Sequence, residues 1–227
     1  MIDNPPLLTI HRGWQRPDPA LVARFRGAQT SHLVDAMEGR GALDWRIKPL
    51  DPASTFAGPA LPAYAYPADI AAMFGAIAEA EPGDVIVLAC DAFTGTSNFG
   101  DVAAGMMRNK GVAAFVTDGL ARDRAGILAT GLPVYCMGIT PNSAALNGPG
   151  TVGAAVTLGS VHVRPGDVVV GDADGVVVVP GDRLERVLAD LDRVRAAEVE
   201  MERQVRDGLT LTEAARRMVA GARIVQG

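Results

Sequence analysis

Short apolar runs alternate with segments of helical spacing through the middle of the chain. Strand-like runs cover residues 84–90, 112–117 and 133–137, and helix-like segments cover residues 101–110 and 123–130 between them. Alternation of this kind is typical of βαβ units, whose strands form a parallel or mixed sheet. The pattern therefore predicts an α/β fold for this part of the chain.

The regions on either side of this segment do not show the same alternation of strands and helices. Residues 1–18 are rich in proline and predict an N-terminal arm. Further helices are predicted over residues 18–26, 31–39 (capped by Thr30 or Ser31) and 68–80, with extended chain over 42–68. After residue 152 the sequence is continuously β-like. Strands are predicted there over residues 154–158, 160–163, 167–170 and 175–179, with a hairpin turn at 172–175.

The last part of the chain is helical in pattern. An apolar stripe from Leu184 to Val194 predicts a helix over residues 183–207, which Gly208 ends and whose distal half is acidic. Thr210–Glu213 has the spacing of a capping box and predicts a short terminal helix. We interpret the 227 residues as one domain, with an arm at 1–18 and a helical extension at 183–227.

Composition narrows the classes of function. Hydrophobic residues make up 48% of the chain and aromatic residues only 5%, so the core is rich in small side chains and a homo-oligomer is expected. The net charge of −5 argues against a nucleic-acid surface. No apolar stretch approaches the ~20 residues of a membrane span, and no signal peptide is evident. Cys90 and Cys136 lie in apolar runs, which predicts buried reduced thiols and a cytoplasmic location.

The candidate chemistry lies in two short motifs, each between a strand and a helix. Gly100–Asp101 precedes one predicted helix, and Arg122–Asp123 precedes the next. If the preceding strands are parallel neighbours, the two motifs converge at one edge of the sheet, where α/β folds commonly place ligands.

Each residue of these motifs can supply a distinct function. The first amides of the helix after Gly100 suit an anion, and the Arg122 guanidinium suits a carboxylate or an enolate oxygen. Asp123 is a ligand for Mg²⁺ or Mn²⁺, and Asp101 can hold a metal-bound water. These properties fit Lewis-acid stabilisation of a 2-oxo acid as its enolate. Since Lys48 and Lys110 are the only lysines, a Schiff-base mechanism is disfavoured.

One motif is interpreted as a loop. Gly148–Gly153 matches the glycine pattern of dinucleotide-binding proteins. That function requires a strand before the motif and a helix after it, whereas a polar loop precedes it here and a β-rich stretch follows.

Several segments together resemble the RraA-like family over about residues 30–208. They are residues 30–36, 82–87, 100–101, 111–123, 132–134 and 165–180, with a glycine followed about twenty residues later by Arg-Asp as the most specific part. The family contains class II 4-hydroxy-4-methyl-2-oxoglutarate and 4-carboxy-4-hydroxy-2-oxoadipate aldolases, and regulators of ribonuclease activity. The resemblance implies a layered α-β-β-α sandwich with a swivelling β/β/α-type core and a long C-terminal helix, assembled as a trimer or hexamer.

The resemblance also implies roles for individual residues. Arg122 would contact the pyruvyl oxygen, Asp123 would bind Mg²⁺ or Mn²⁺ directly, and Asp101 would do so through water. The amides of Val102 and Ala103 would hold the substrate carboxylate. Glu198 of a neighbouring subunit, or Glu200 in its place, would complete the outer shell.

The implied function is a divalent-metal-dependent lyase. It would cleave a C–C bond of a 2-oxo acid, release pyruvate, and also decarboxylate oxaloacetate. The alternatives are a non-catalytic regulator that binds a ribonuclease, and a lyase acting on another substrate. Val102 and Ala103 replace the Leu-Leu common in the family, and the tail after Gly208 differs from that of the aldolases, so the distal half of the substrate is left open.

Overall fold

The computed structural model describes residues 5–225. Its helices are α1 Pro19–Ala23, α2 Thr30–Ala36, α3 Ala71–Glu79, α4 Asp101–Lys110, α5 Arg124–Thr130, α6 Leu184–Arg206 and α7 Glu213–Ala220, with a 3₁₀ turn at Gly181–Arg183. Its strands are β1 Thr9–Ile10, β2 Lys48–Pro49, β3 Phe56–Ala65, β4 Val85–Ala89, β5 Ser97–Phe99, β6 Ala114–Thr117, β7 Leu120–Ala121, β8 Val134–Cys136, β9 Gly138–Ile139, β10 Gly150–Val152, β11 Val156–Leu158, β12 Val161–Val163, β13 Val168–Asp172 and β14 Gly175–Val179. The predicted α/β class is confirmed.

Four parallel strands form the centre of the main sheet. They are ordered β3-β4-β6-β8, and β4 pairs with β6 in the register Val85 to Ala114. The helices α3, α4 and α5 connect consecutive strands of this group, as the alternating pattern predicts. The strands before the two candidate motifs are therefore parallel neighbours.

The ten-residue strand β3 joins the main sheet to a second sheet. Its second half pairs with β4, whereas its first half pairs antiparallel with β13, which forms a hairpin with β14. The hairpin turn lies at Asp172–Gly175, as predicted. Strand β3 is thus shared by the two sheets of the sandwich.

Three apolar clusters lie between four layers. One cluster packs α3, α4 and α5 against one face of the parallel sheet, through residues such as Ile86, Leu88 and Phe115. A second fills the space between the two sheets, through Val85, Val87 and Val169 among others. The third packs the outer face of the hairpin against α1, α2 and α6. Because alternate residues of a strand face opposite sides, strands β4 and β13 each contribute side chains to two clusters. The result is the expected α-β-β-α order.

The N-terminal arm is tied to the body of the protein. Strand β1 extends the main sheet by pairing parallel with β10. Arg16 donates two hydrogen bonds to the buried Asp84 carboxylate, at 2.9 and 2.7 Å. Arg12 makes a similar pair with Glu79 at the surface.

The structure corrects some local predictions. Residues 150–152, interpreted as a loop, form β10, and the next element along the chain is strand β11 and not a helix. Neither Thr30 nor Ser31 caps α2 with its side chain. Gln29 holds the cap position, and the Thr30 amide and hydroxyl donate to Asp172, both at 2.8 Å. The cap of α7 is Thr212, which accepts from the Ala215 amide, and not Thr210.

The C-terminal helix is long and only partly covered. Its buried residues, Leu184, Val187, Leu188 and Leu191, all lie in the first eight positions of the 23-residue α6. The distal half and α7 have no buried residue. Within residues 5–225 no helix is both long and apolar enough to span a bilayer.

Candidate active site

A small three-stranded sheet carries the candidate site. Strands β5, β7 and β9 are parallel and follow the core strands β4, β6 and β8 along the chain. The Arg122 amide donates to the Phe99 carbonyl at 2.9 Å, which places the second motif directly beside the first. The two motifs therefore meet as predicted, but on this smaller sheet and not at the ends of the core strands themselves.

Arg122, Asp123 and Gly100 are in close contact. The Arg122 Nε atom lies 3.1 Å from Asp123 Oδ2, and both side chains are 43% exposed. A Cβ atom at Gly100 would lie 2.8 Å from the same carboxylate oxygen. Only glycine allows the Asp123 carboxylate to lie against the start of α4.

The backbone of Asp123 aims its carboxylate into the site. Asp123 occupies the cap position of α5 in the left-handed conformation (φ 55°, ψ 42°), yet its side chain accepts no capping hydrogen bond from that helix. Left-handed backbone outside glycine costs free energy and concentrates at functional sites. The conformation leaves the carboxylate facing Arg122 and Gly100 instead of the α5 amides.

Asp101 begins α4 and packs against α5. Its Oδ1 atom accepts a hydrogen bond from the Val102 amide at 2.8 Å. A Cβ at Gly126 would lie 2.5 Å from Asp101 Oδ2 and 2.7 Å from Asp101 Cβ. The missing side chain at Gly126 therefore makes the space that Asp101 occupies.

Six of the seven predicted site residues, all except Glu198, line one cavity of about 140 Å³. They are Gly100, Asp101, Val102, Ala103, Arg122 and Asp123, and the remaining lining residues are Ile70, Met73, Phe74, Ser97, Asn98, Phe99, Ser143 and Ala144. Since a water molecule occupies about 30 Å³ in the liquid, the cavity has room for a small acid. The lining includes polar groups of the two motifs, and it includes apolar residues of α3 and of the cap position before it.

The donor set of the cavity fits Mg²⁺ or Mn²⁺ better than a tetrahedral metal. Asp101 and Asp123 offer carboxylate oxygens, and the part of the chain that the structure describes contains no group of three or more His, Cys, Asp or Glu able to hold a metal. Mg²⁺ commonly keeps several waters and takes only one or two carboxylates. Two acids at one cavity therefore suffice for such an ion.

Glu198 and Glu200 lie outside this cavity, on the exposed distal half of α6. Glu200 accepts from Arg203 and Gln204, and the Arg203 bond lowers its pKa to about 2. None of the hydrogen bonds and salt bridges between described residues involves the Glu198 side chain; those of the neighbouring acidic position involve Glu200. Glu198 is thus the one of the pair that is not already engaged on its own helix.

Sequence reasoning missed three residues of the site. The Arg122 guanidinium donates a hydrogen bond to Ser143 Oγ. Ser143 follows β9 in a loop that the Ser97 amide holds by donating to the Asn142 carbonyl at 3.0 Å. Gly126 gives Asp101 its space, and Asn98 contributes a buried amide. None of these residues belongs to a motif, because only the tertiary contacts bring them to the cavity.

The cysteines are not nucleophiles of this site. Both thiols are free and buried, as predicted. Burial, together with the nearby Asp118 carboxylate, raises the pKa of Cys90 to about 12. Asp118 accepts from the amides of Cys90 and Ala92, at 2.7 and 2.9 Å, and so fixes the loop after β4.

The sequence model of the RraA-like family, described as Aldolase/RraA, matches residues 30–178. The chain belongs to the RraA-like family. A family relative from Halalkalibacterium halodurans, provisionally named 4-hydroxy-4-methyl-2-oxoglutarate aldolase, is 35% identical over 188 residues, covering 83% of this chain and 90% of the relative.

Two solved structures share this fold. Streptomyces coelicolor RraAS2, described as an unusual member of the RNase ES inhibitor RraA protein family, has a TM-score of 0.74 at 28% identity, over 83% of this chain and all of that one. An uncharacterized protein from Pseudomonas syringae pv. tomato has a TM-score of 0.77 at 23% identity, over 89% of this chain and all of that one. The second likeness concerns the fold alone.

Proposed function

We propose that the protein is a divalent-metal-dependent lyase that cleaves a C–C bond of a 2-oxo acid and releases pyruvate. The observation that carries this proposal is the meeting of Gly100, Asp101, Arg122 and Asp123 around one small cavity. The 35% identical relative with the name of an aldolase supports the same reaction type.

In this proposal the substrate carboxylate binds at the start of α4. The first amides of a helix have no partner within it and favour an anion, and the first intrahelical bond here runs from the Ala104 amide to the Gly100 carbonyl. The Val102 amide already donates to Asp101. Of the two amides that the resemblance assigns to the carboxylate, that of Ala103 therefore takes it without displacing Asp101.

Arg122 faces the charge that develops in the reaction. When the bond between carbons 3 and 4 breaks, its electron pair moves into the enolate, whose oxygen becomes negative. Carbon 4 becomes a carbonyl carbon as the 4-hydroxyl loses its proton to solvent. A guanidinium held by Ser143 and Asp123 is preorganised to stabilise that oxygen, and such preorganised charge is a large term in catalysis. A Mg²⁺ ion held by Asp123, with Asp101 bonding one of its waters, would supply Lewis-acid polarisation of the ketone.

The proposal is tested by measuring pyruvate release in the presence of Mg²⁺. Oxaloacetate and 4-hydroxy-4-methyl-2-oxoglutarate are the two substrates to compare. We expect turnover of at least one of them, and a loss of about a hundredfold to a thousandfold in kcat for Arg122→Ala, as for removal of an oxyanion contact.

Arg108→Ala is the matched control. Arg108 is an exposed arginine in the last turn of α4 and does not line the cavity. Its removal should leave turnover unchanged. Absence of turnover with both substrates, or equal activity of the Arg122→Ala and wild-type proteins, would contradict the proposal.

A second candidate function is regulation of a ribonuclease by direct binding. Its support is the similarity to the RraA protein of S. coelicolor, whose description names inhibition of RNase ES. A pull-down with a purified endoribonuclease tests it. Binding that survives Arg122→Ala, in a protein without lyase turnover and with no metal-dependent change in melting temperature, would favour regulation over catalysis.

A further inference from the structure

Apolar side chains at the cavity are open to solvent. Phe74 of α3 is 37% exposed and Val102 of α4 is 68% exposed. Ile70, at the cap position of α3, and Ala144 are half-buried. All four residues line the cavity, so their exposed surface is available to a ligand bound there. Exposed apolar side chains grouped at one cavity favour a ligand that has an apolar part.

The charged groups at the cavity are mostly acidic. Among the described residues that line it, Arg122 is the only lysine, arginine or histidine, whereas Asp101 and Asp123 supply two carboxylates. These two carboxylates together balance the charge of one Mg²⁺ ion. Arg122 is already engaged with Asp123, at 3.1 Å, and with Ser143. Glu198, which is expected from a neighbouring subunit, would add a third acid. The cavity therefore has one cation, which the proposed function places against the enolate oxygen.

The lining discriminates between an anionic and an apolar substituent on the substrate. A second substrate carboxylate would find no cation of its own at this cavity. Moving a carboxylate out of water is costly unless a positive group or hydrogen-bond donors replace the water, and nearby acids repel it. An apolar substituent against Phe74 leaves water at a gain in free energy. The apolar substituent is therefore favoured.

The substituent that meets this choice is the one on carbon 4. When the bond between carbons 3 and 4 breaks, carbon 3 takes a proton from solvent and becomes the methyl group of pyruvate. Carbon 4 leaves with its substituent as a carbonyl compound. A methyl substituent gives acetaldehyde, and a carboxylate substituent gives glyoxylate. The pyruvyl half of the substrate is the same in both reactions.

We propose that the cavity takes 4-hydroxy-2-oxo acids whose carbon 4 carries an apolar substituent, and that Phe74 contacts this substituent. The inference rests on the proposed lyase function and specifies the half of the substrate that the two motifs leave open. Phe74 is then a specificity-determining residue, and the products are pyruvate and an apolar aldehyde or ketone.

The test compares two substrates that differ only in this substituent. 4-Hydroxy-2-oxopentanoate carries a methyl group on carbon 4, and 4-hydroxy-2-oxoglutarate carries a carboxylate. With Mg²⁺, we expect the wild-type protein to release pyruvate from the pentanoate with a kcat/KM about tenfold or more above that for the glutarate. Phe74→Arg puts a cation at the cavity and should shift the ratio of the two values toward the glutarate by about tenfold or more. Comparing the ratio between proteins cancels the intrinsic difference in reactivity of the substrates.

Leu128→Arg is the matched control. Leu128 is an apolar residue of α5 that is 41% exposed and does not line the cavity. The same change of charge there should leave the ratio unchanged. If Phe74→Arg does not fold, Val102→Arg takes its place, because Val102 is the more exposed of the two apolar residues at the cavity.

The outcomes separate the substituent from the reaction type. A wild-type preference for the glutarate, or a ratio that the cavity variants shift no more than Leu128→Arg does, would overturn the apolar substituent and leave the lyase function in place. Absence of pyruvate release from both substrates, and also from oxaloacetate and 4-hydroxy-4-methyl-2-oxoglutarate, would overturn the lyase function itself.

Discussion

At the scale of single residues, the site depends on two places where a side chain is absent. Gly100 lets the Asp123 carboxylate approach the start of α4, and Gly126 makes room for Asp101. Glycine within a helix costs about 1 kcal/mol relative to alanine. Gly126 lies inside α5 and therefore destabilises that helix. A methyl group at this position would displace Asp101, the candidate partner of a metal-bound water.

Gly126→Ala is expected to lower lyase activity without unfolding the protein. The new methyl would meet Asp101 at 2.5–2.7 Å and push its carboxylate out of position. A misplacement of about 1 Å can cost a hundredfold in rate, and we expect a loss of about tenfold to a hundredfold. Steady-state kinetics and a thermal melt of the same variant separate activity from stability.

Gly105→Ala is the control for this substitution. Gly105 lies inside the neighbouring helix α4, and a Cβ there would have no atom within 4 Å. We expect it to stabilise the protein by about 1 kcal/mol and leave activity intact. If Gly126→Ala were as active as Gly105→Ala, Asp101 would have no role that depends on its position.

At the scale of elements, the start of α5 has a left-handed residue at its cap position, and the side chain of that residue makes no capping hydrogen bond. Asp123 is left-handed and does not cap the helix that it begins. Asparagine tolerates this conformation about as well as aspartate. Asp123→Asn therefore separates the negative charge from the backbone shape.

We expect Asp123→Asn to melt within a few degrees of the wild-type protein but to lose ligand-dependent stabilisation. In the wild-type protein, Mg²⁺ and pyruvate together should raise the melting temperature, since a ligand that binds only the folded state stabilises it. The variant should show no shift at the same concentrations. An equal shift in both proteins would mean that the Asp123 carboxylate does not hold the metal.

The elements also show which parts of the structure a sequence can reveal. Strands β4 and β6 were predictable as short apolar runs, and helix α4 was predictable from its helical spacing and from the left-handed Gly111 that ends it. Strands β5, β7 and β9 have two or three residues each, too few to show a period. Their pairing is set by the long-range contacts of the core strands before them. The motifs of the site were visible, but the small sheet that joins them was not.

Residues outside the motifs were hidden for the same reason. Ser143 contacts Arg122 across a separation of 21 positions in the chain, and its residue type carries no signal for an arginine partner. Asn98 is hidden in the same way, because its hydrogen bond to Thr117 and its position beside Cys90 come from tertiary packing.

At the scale of the whole molecule, the C-terminal helix extends well past its own core. At 1.5 Å per residue, the 23-residue α6 is about 34 Å long. Burial ends at Leu191, and apolar side chains are exposed beyond it, with Val199 at 63% and Val205 at 56% on α6 and Met218 at 72% on α7. Exposed apolar residues on an extended helix favour contact with a second copy of the chain. The exposed apolar residues agree with the predicted homo-oligomer, and the reach of Glu198 into a neighbouring site stays a prediction.

A subunit-mixing experiment tests whether the site is shared. We expect Arg122→Ala and Glu198→Ala homo-oligomers each to have low activity. In oligomers co-expressed from both chains, a site would be complete when an intact Arg122 meets an intact Glu198 from its neighbour. With random assembly of equal amounts this occurs at about one quarter of the sites, which should give about a quarter of wild-type activity. If Glu198 acted within its own chain, no mixed oligomer would contain a complete site and activity would stay low. Glu200→Ala is the control and should remain active alone, because Glu200 is already bound to Arg203 and Gln204.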